Sequence, residues 1–248
     1  HDTENKIINS IFIEKDTIKR IIKDVKEVNK NKLSDNGIYY IHDETNVLKG
    51  YALIIGPKDT VYSYGYYFFE IDFPNNYPFS PPKFIYQTNG YKIRFHPNMY
   101  RSGKVCLSLL NTWRGEQWTS CSSLKSILLT LSSIMDEIPL LNEPGITKNH
   151  PEINKYNQVI KYGNLICAII DVCNFKPEFE RFIHLFKDVI IETFNKNYND
   201  ILDNYNHLFS LKSYEICTIY NMKITIDYKN SKSQLYDIKC LFNNKNEI

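Results

Sequence analysis

Residues 77–107 read YPFSPPKFIYQTNGYKIRFHPNMYRSGKVCL, and this stretch decides the fold. Pro78, Pro81 and Pro82 crowd its start. Proline fixes φ and removes a backbone donor, so the opening is a rigid extended loop or a sheet edge rather than helix. Phe84–Gln87 is a short run of strand type. From residue 88 to 121 no period holds, and the segment carries His96-Pro97-Asn98, Gly103, Cys106, Trp113 and Trp118. A structureless run of that length in a compact domain is either a misread element or a functional site.

Working outward, the sequence upstream supplies three more strands. Ile38–Ile41, Val47–Ile55 and Tyr66–Phe73 are rich in aromatic and β-branched residues. Gly56-Pro57-Lys58-Asp59 and Phe73-Pro74-Asn75-Asn76 separate them as turn clusters. Four strands joined by short loops predict an antiparallel meander. Before them, residues 14–30 place Ile18, Ile21, Ile22, Val25 and Val28 at helical spacing, which predicts a surface helix with one buried stripe. Downstream the period turns helical. Ser122 or Ser123 caps a helix running to Met135, with Leu124, Ile127, Leu128, Leu131 and Ile134 inward. Asn142-Glu143-Pro144-Gly145 breaks it. Residues 151–174 and 177–208 carry two further helical patterns, the second with Pro177 in its first turn. Between 211 and 248, Met222–Tyr228 alternates like a strand and Leu235–Phe242 fits a last helix.

The chain has 248 residues, 43% hydrophobic and 23% charged, so wholesale disorder is excluded. Two alanines stand against 27 asparagines, 33 isoleucines and 19 tyrosines, so the core is built from Ile, Leu, Phe and Tyr. Thirty basic residues against 28 acidic ones offer no field for nucleic acid. The longest apolar runs, such as Leu53–Ile55 and Ile166–Ile170, are far short of a membrane span. Six cysteines lie at 106, 121, 167, 173, 217 and 240, with neither CxxC nor zinc-finger spacing. No metal site is expected. A reduced intracellular setting, cytoplasm or nucleus, is expected from the cysteine usage and the absence of a secretory pattern.

Cys106 read alone is a small core hydrophobe. Its neighbourhood argues otherwise. Tyr77-Pro78-Phe79-Ser80-Pro81-Pro82-Lys83, His96-Pro97-Asn98, Gly103-Lys104-Val105-Cys106-Leu107 and Trp118 follow in the order of the ubiquitin-conjugating enzyme family, which this chain resembles. Asn98 and Cys106 are separated as in that family. Gly56-Pro57-Lys58-Asp59-Thr60 with Tyr62, and Lys19-Arg20-Ile21-Ile22-Lys23, extend the resemblance over about residues 15–145. Residues 98–113, the lengthened segment from Thr112 to Trp118 and the helical tail resemble the large Z-type branch, whose members accept ubiquitin and a second ubiquitin-like modifier.

The resemblance implies an α+β fold: a four-stranded antiparallel meander flanked by helices, with a mostly helical C-terminal extension. It divides the chain into a lead-in over 1–13, a catalytic unit over 14–150 and an extension over 151–248, of which 151–208 is expected to pack near the active site. It implies that Cys106 takes ubiquitin or a ubiquitin-like modifier from an activating enzyme as a thioester and yields it to a lysine of a protein substrate, with a ligase as a further partner. No cofactor is implied, since ATP is used by the activating enzyme. The thiolate is the nucleophile, so the Cys106 thiol is expected to be at least partly exposed, with Lys104 favouring the thiolate. Asn98 either donates to the oxyanion formed on lysine attack or orders its own loop. Asn142 or Glu143 gates the incoming lysine, which must lose a proton.

His96 invites a hydrolase reading, since Cys and His form a thiol dyad. In the resembled family His96 and Pro97 make a structural turn, and Trp113 and Trp118 are packing walls. The same carry-over turns Lys19, Arg20 and Lys23 toward the activating enzyme, although a solvated helix face fits them as well. Phe79 and the loop Thr119-Ser120-Cys121 would meet a ligase. That loop lacks the proline its relatives carry, so it is expected to be loose. Leu129 and Ser133 hold the positions where a tethered modifier folds back, and Leu129 fits a core position equally. The remaining alternatives are a modifier-binding variant without catalysis and the Cys/His hydrolase. The four cysteines of the extension are expected to be structural.

Overall fold

In a computed structural model of the protein, describing residues 13–244, the apolar runs of the second and third strands form the centre of one sheet. Strands β1 (Ile38–His42), β2 (Lys49–Ile55), β3 (Tyr66–Asp72) and β4 (Lys83–Tyr86) pair in chain order, each antiparallel to the next. The register sets Leu53 opposite Phe68 and Ala52 opposite Phe69. Side chains alternate across a strand, so Ala52, Ile54, Tyr67 and Phe69 share one face and Tyr51, Leu53, Tyr66 and Phe68 the other. Both sets are buried. Of the expected lead-in over 1–13, residues 1–12 lie outside the described residues.

Helix α1 (Lys15–Lys30) and helix α2 (Leu124–Ile134) cover the first face. Ser123 caps α2: its hydroxyl accepts from the Ser126 N–H at 3.2 Å, and the Ser126 hydroxyl accepts from the Ser123 N–H at 3.1 Å. The α1 stripe is narrower than its spacing predicts. Ile21 and Val28 are buried, Ile18 and Val25 are half-buried, and Ile22 is exposed. The polar Thr17 and Asp24 take inward places instead, where Thr17 donates to the Tyr77 carbonyl at 2.8 Å and Asp24 accepts from the Tyr77 hydroxyl.

The extension covers the second face. After α3 (Glu152–Gly163), a turn at Pro177–Phe179 leads into α4 (Glu180–Tyr205). Phe182 stacks on Phe68 with ring centres 4.8 Å apart, and Phe186 stacks at 6.4 Å. Tyr66 donates to the Ile190 carbonyl at 3.2 Å. Each fully buried aromatic of this layer stabilises the fold by roughly 1.5–3 kcal/mol. The helical pattern over 151–174 is not one α-helix: its winding widens to a π-helix over Asn164–Asp171. Asn164, wholly buried, sits where the winding changes. Its side-chain carbonyl accepts from the Tyr67 hydroxyl at 2.6 Å. Its amide donates to the Ser63 carbonyl at 3.0 Å and the Tyr205 hydroxyl at 2.9 Å. Gly65 makes room for it, since a Cβ there would lie 2.0 Å from the Asn164 oxygen.

The tail is more ordered than its sequence suggests. A hairpin of β5 (Tyr214–Thr218) and β6 (Met222–Ile226) precedes α5 (Ser231–Asn244), whose Phe242 packs on Phe194 of α4 and on Phe175 of the turn after the π-helix. Strand β5 was not expected: its five residues alternate half-buried and exposed, with none fully buried. The cysteines need correction. Cys167 and Cys173 are buried, but Cys217 is exposed and Cys240 half-buried. Cys217 lies on the outward side of β5 beside Lys223, so period two takes it out of the core.

Asn164 carries the testable consequence. Asn164→Leu strands a buried hydroxyl and a buried carbonyl, and is expected to lower the unfolding free energy by about 2–3 kcal/mol in a denaturant titration. A loss under about 0.5 kcal/mol would show that the three bonds are not needed.

Candidate active site

The irregular segment 88–121 is held together by one imidazole. His96 is fully buried. One ring nitrogen, Nδ1, lies 2.9 Å from the Asn98 backbone N–H, which donates to it. The other, Nε2, lies 2.9 Å from the Ile134 carbonyl at the end of α2 and must donate. These partners assign the proton to Nε2. Burial pushes the ring pKa down to about 3, against the upward pull of the Ile134 bond and with a smaller downward push from Arg94. His96 is therefore neutral near pH 7, with both nitrogens occupied. No nitrogen remains to deprotonate a thiol, which corrects the hydrolase alternative.

The turn that His96 fixes grips Cys106. The Cys106 N–H donates to the Asn98 carbonyl at 2.8 Å, and the Asn98 side-chain amide donates to the Cys106 carbonyl at 2.7 Å. Asn98 is buried and its side-chain oxygen has no partner. Pro97 is buried, and its carbonyl accepts from the Arg94 guanidinium at 2.5 Å. Beyond Cys106, the Leu107 N–H donates to the Thr112 hydroxyl at 3.0 Å. Cys106 itself is 2% exposed, so the expectation of a partly exposed thiol is corrected. Its backbone is bonded on both sides to a buried turn, and that draws the residue inward. Lys104 is exposed, with its ammonium 6.0 Å from the Tyr100 ring centre. A cavity of about 460 Å³ runs beside the preceding residues, lined by Pro82, Phe84, Gly103, Val105, Leu110 and Thr112 among others.

The two gate candidates differ in setting. Asn142 donates to the Pro139 carbonyl at 3.0 Å and lies 3.5 Å from His96 Nε2. Glu143 is half-buried, and its carboxylate accepts from the Tyr220 hydroxyl. Trp118 is a wall, as expected: it is buried, donates from its ring N–H to the Pro78 carbonyl at 2.7 Å and lies 5.7 Å from the Tyr77 ring. Trp113 is half-buried, with Gln117 donating to its carbonyl.

The expected partner residues fall into two groups. Lys19, Lys23, Thr119, Ser120 and Cys121 are exposed, and Phe79 is 77% exposed. Arg20 is turned inward. Its guanidinium donates to the Asp24 carboxylate at 3.0 Å and to the Ser120 and Ser122 carbonyls at 2.6 Å each. This fork ties the 119–122 loop to α1 and corrects the expectation of a loose loop: side-chain bonds do there what a proline would do. The Thr119 N–H adds a bond to the Ser122 hydroxyl at 3.1 Å. Leu129 and Ser133 share the outer face of α2, both exposed, so Leu129 is not core. Sequence reasoning missed Arg94, Thr112 and Tyr220. Thr112 lay in the quoted irregular segment, whereas Tyr220 lies 77 residues from its partner Glu143 and carries no local signal. No helix among the described residues is long and apolar enough to cross a membrane.

Comparison with known proteins bears on this geometry. A family model described as ubiquitin-conjugating enzyme matches residues 20–161. Ubiquitin-conjugating enzyme E2 Z of Danio rerio is 39% identical over 158 residues, covering 62% of this chain and 48% of its own length. The Homo sapiens protein of that name is 38% identical over 156 residues, covering 62% and 44%. A probable ubiquitin-conjugating enzyme of Caenorhabditis elegans, protein 17, is 37% identical over 197 residues, covering 72% and 27%. The chain thus spans half or less of the length of these curated relatives.

The buried imidazole predicts a pH dependence. The folded state holds His96 at a pKa of about 3, whereas an unfolded histidine titrates near its ordinary value of 6.5. Between these limits the unfolded state binds the extra proton, so this contribution is complete above pH 6.5 and is lost as pH falls toward 3. His96→Gln is expected to be less stable at pH 7 and to lose part of the acid slope, about 1.4 kcal/mol per pH unit at most. Parallel stability-against-pH curves for the two proteins would show that His96 is not the titrating group.

Proposed function

The chain belongs to the ubiquitin-conjugating enzyme family, and on that premise we propose that Cys106 carries ubiquitin or a ubiquitin-like modifier as a thioester between an activating enzyme and a substrate lysine. The observation that carries this reading is the reciprocal pair of hydrogen bonds between Asn98 and Cys106, which holds one particular cysteine against the His96-Pro97-Asn98 turn. The Cys106 thiolate attacks the carbonyl carbon of the modifier's thioester on the activating enzyme. A new C–S bond forms, the old one breaks, and the donor sulfur leaves as a thiolate. A lysine amine then attacks the same carbon. The C–N bond forms, the C–S bond breaks, and Cys106 regains its thiol as the amine loses a proton. This chemistry needs no cofactor on this chain, the activating enzyme having used ATP beforehand.

The burial of Cys106 adds a step. At 2% exposure the side chain must be uncovered before either attack. The segment Arg114, Gly115, Glu116 and Gln117, exposed and close behind it in sequence, is where such an uncovering would begin. Asn98 acts first as the brace of Cys106, because its amide is already bonded to the Cys106 carbonyl. For docking, Lys19 and Lys23 offer an exposed basic pair to the activating enzyme, and Phe79 offers an exposed ring to a ligase beside the 119–121 loop. Leu129 and Ser133 offer the outer face of α2 to the tethered modifier. Cytoplasm or nucleus is the setting that suits these partners. A non-catalytic modifier-binding variant would have no use for Cys106, and nothing in the site favours it.

The test is a charging reaction with activating enzyme, ATP and a panel of modifiers. The unmodified chain is expected to form a thiol-sensitive adduct and Cys106→Ser a thiol-resistant one. An adduct that survives Cys106→Ala, or none with any modifier, sinks the reading. Asn98→Ala is expected to slow charging as well as discharge. Normal charging with discharge slowed by roughly 10²–10³ would instead assign Asn98 to the oxyanion.

A further inference from the structure

The β5–β6 hairpin turns on Ile219-Tyr220-Asn221-Met222, where Tyr220 has φ 63° and Asn221 φ 54°. Both lie in the left-handed region. Asn suits it, but a bulky residue such as Tyr is rare there and marks a position worth explaining. The explanation lies in what Tyr220 reaches. Its ring centre is 4.0 Å from the Arg94 guanidinium, and the Tyr100 ring centre is 3.9 Å away, so the cation is sandwiched. Arg94 in turn donates to the Pro97 carbonyl, within the turn that holds Cys106. The Tyr220 carbonyl accepts from the Arg101 guanidinium at 2.9 Å. Its hydroxyl donates to Oε2 of Glu143. From behind, Glu152 of α3 pins the turn by accepting from the Thr218 hydroxyl at 2.7 Å and the Ile219 N–H at 3.1 Å.

One residue of the tail therefore touches both Arg94, which holds the Pro97 carbonyl, and the gate candidate Glu143. Burial first, and the hydrogen bond to Glu143 second, push its phenol well above the ordinary tyrosine range, so it stays a proton donor. Among the described residues, Oε1 of Glu143 accepts no hydrogen bond from the protein.

We propose that Tyr220 is a positioning residue for transfer to lysine. Its hydroxyl fixes the Glu143 carboxylate with Oε1 free to accept an N–H of the incoming amine, and its ring steadies, through Arg94, the turn that braces Cys106. This rests on the thioester reading of Cys106 and selects Glu143 over Asn142 as the group that meets the lysine. As the amine nitrogen attacks, the C–N bond forms and the C–S bond breaks toward sulfur. The amine proton passes to Oε1 and from there, through solvent, to the departing Cys106 sulfur. A carboxylate held at one oxygen loses less freedom in receiving the amine than one free to rotate.

The test follows the full-length chain, charged on Cys106, as it discharges to free lysine over a range of lysine concentrations, with the rate counted per thioester formed. Tyr220→Phe keeps the ring over Arg94 and removes only the hydroxyl. It is expected to slow discharge at low lysine by roughly tenfold, the low end for a hydrogen bond to a charged group. Glu143→Gln is expected to slow it at least as much, and the double variant no further, since both act through one carboxylate. Unchanged or faster discharge in Tyr220→Phe overturns the proposal. So does a double variant that multiplies the two losses, which would make Tyr220 an independent structural contact. If the unmodified chain does not charge on Cys106, the thioester reading fails and takes this proposal with it. Normal charging with either of the other adverse results overturns only the role of Tyr220.

Discussion

A neutral imidazole with no access to water organises the N-terminal half of this protein. His96 accepts from the turn it sits in and donates to the end of α2. Burial makes the charged form costly, so the ring keeps one proton and one tautomer. The direction of both hydrogen bonds then follows. Asn98 is fixed by the first, Cys106 is fixed by Asn98, and the second ties the whole segment to a capped helix. A segment with almost no regular structure thereby gains the positional definition of a strand.

The rest of the molecule is arranged around a sheet with no wet face. Phe68 and Tyr66 point away from α1 and α2, and would face water if the chain ended with its catalytic unit. Phe182, Phe186 and Ile190 of α4 cover them instead. Polar groups are handled with the same economy. Asn164 satisfies a tyrosine on the sheet, a carbonyl in the loop before it and a tyrosine on α4, and it stands where the helix widens. Core and extension are thus joined by apolar area and by directed bonds, and the second kind fixes their register.

Much of this was legible in the sequence. The four strands, their order and both flanking helices follow from local period and turn chemistry, which act within a few residues. The site was legible because Pro82, His96, Asn98 and Cys106 lie on one continuous stretch. Three misreadings share a different cause. Arg20 reads as a surface base until Ser120 and Ser122, a hundred residues on, present their carbonyls. Tyr220 reads as a residue of an ambiguous tail until Glu143 meets its hydroxyl. Cys106 reads as exposed because chemistry needs access, whereas its burial is set by bonds on both sides. Contacts distant in sequence leave no periodic trace. One signal was there to be read: YALII and YYFF do not alternate, which is how strands covered on both faces look.

The two-sided sheet bears on how such a chain can be shortened or lengthened by evolution. Where an appended segment only touches a finished domain, one stop codon removes it without harm. Here a truncation near residue 150 would uncover Tyr66 and Phe68 and leave the Tyr67 hydroxyl and the Ser63 carbonyl without their Asn164 partner. A shorter descendant would need several compensating substitutions on β2 and β3 before the loss became tolerable. The tail is therefore kept by the history of its own contacts, independently of any advantage it gives the reaction.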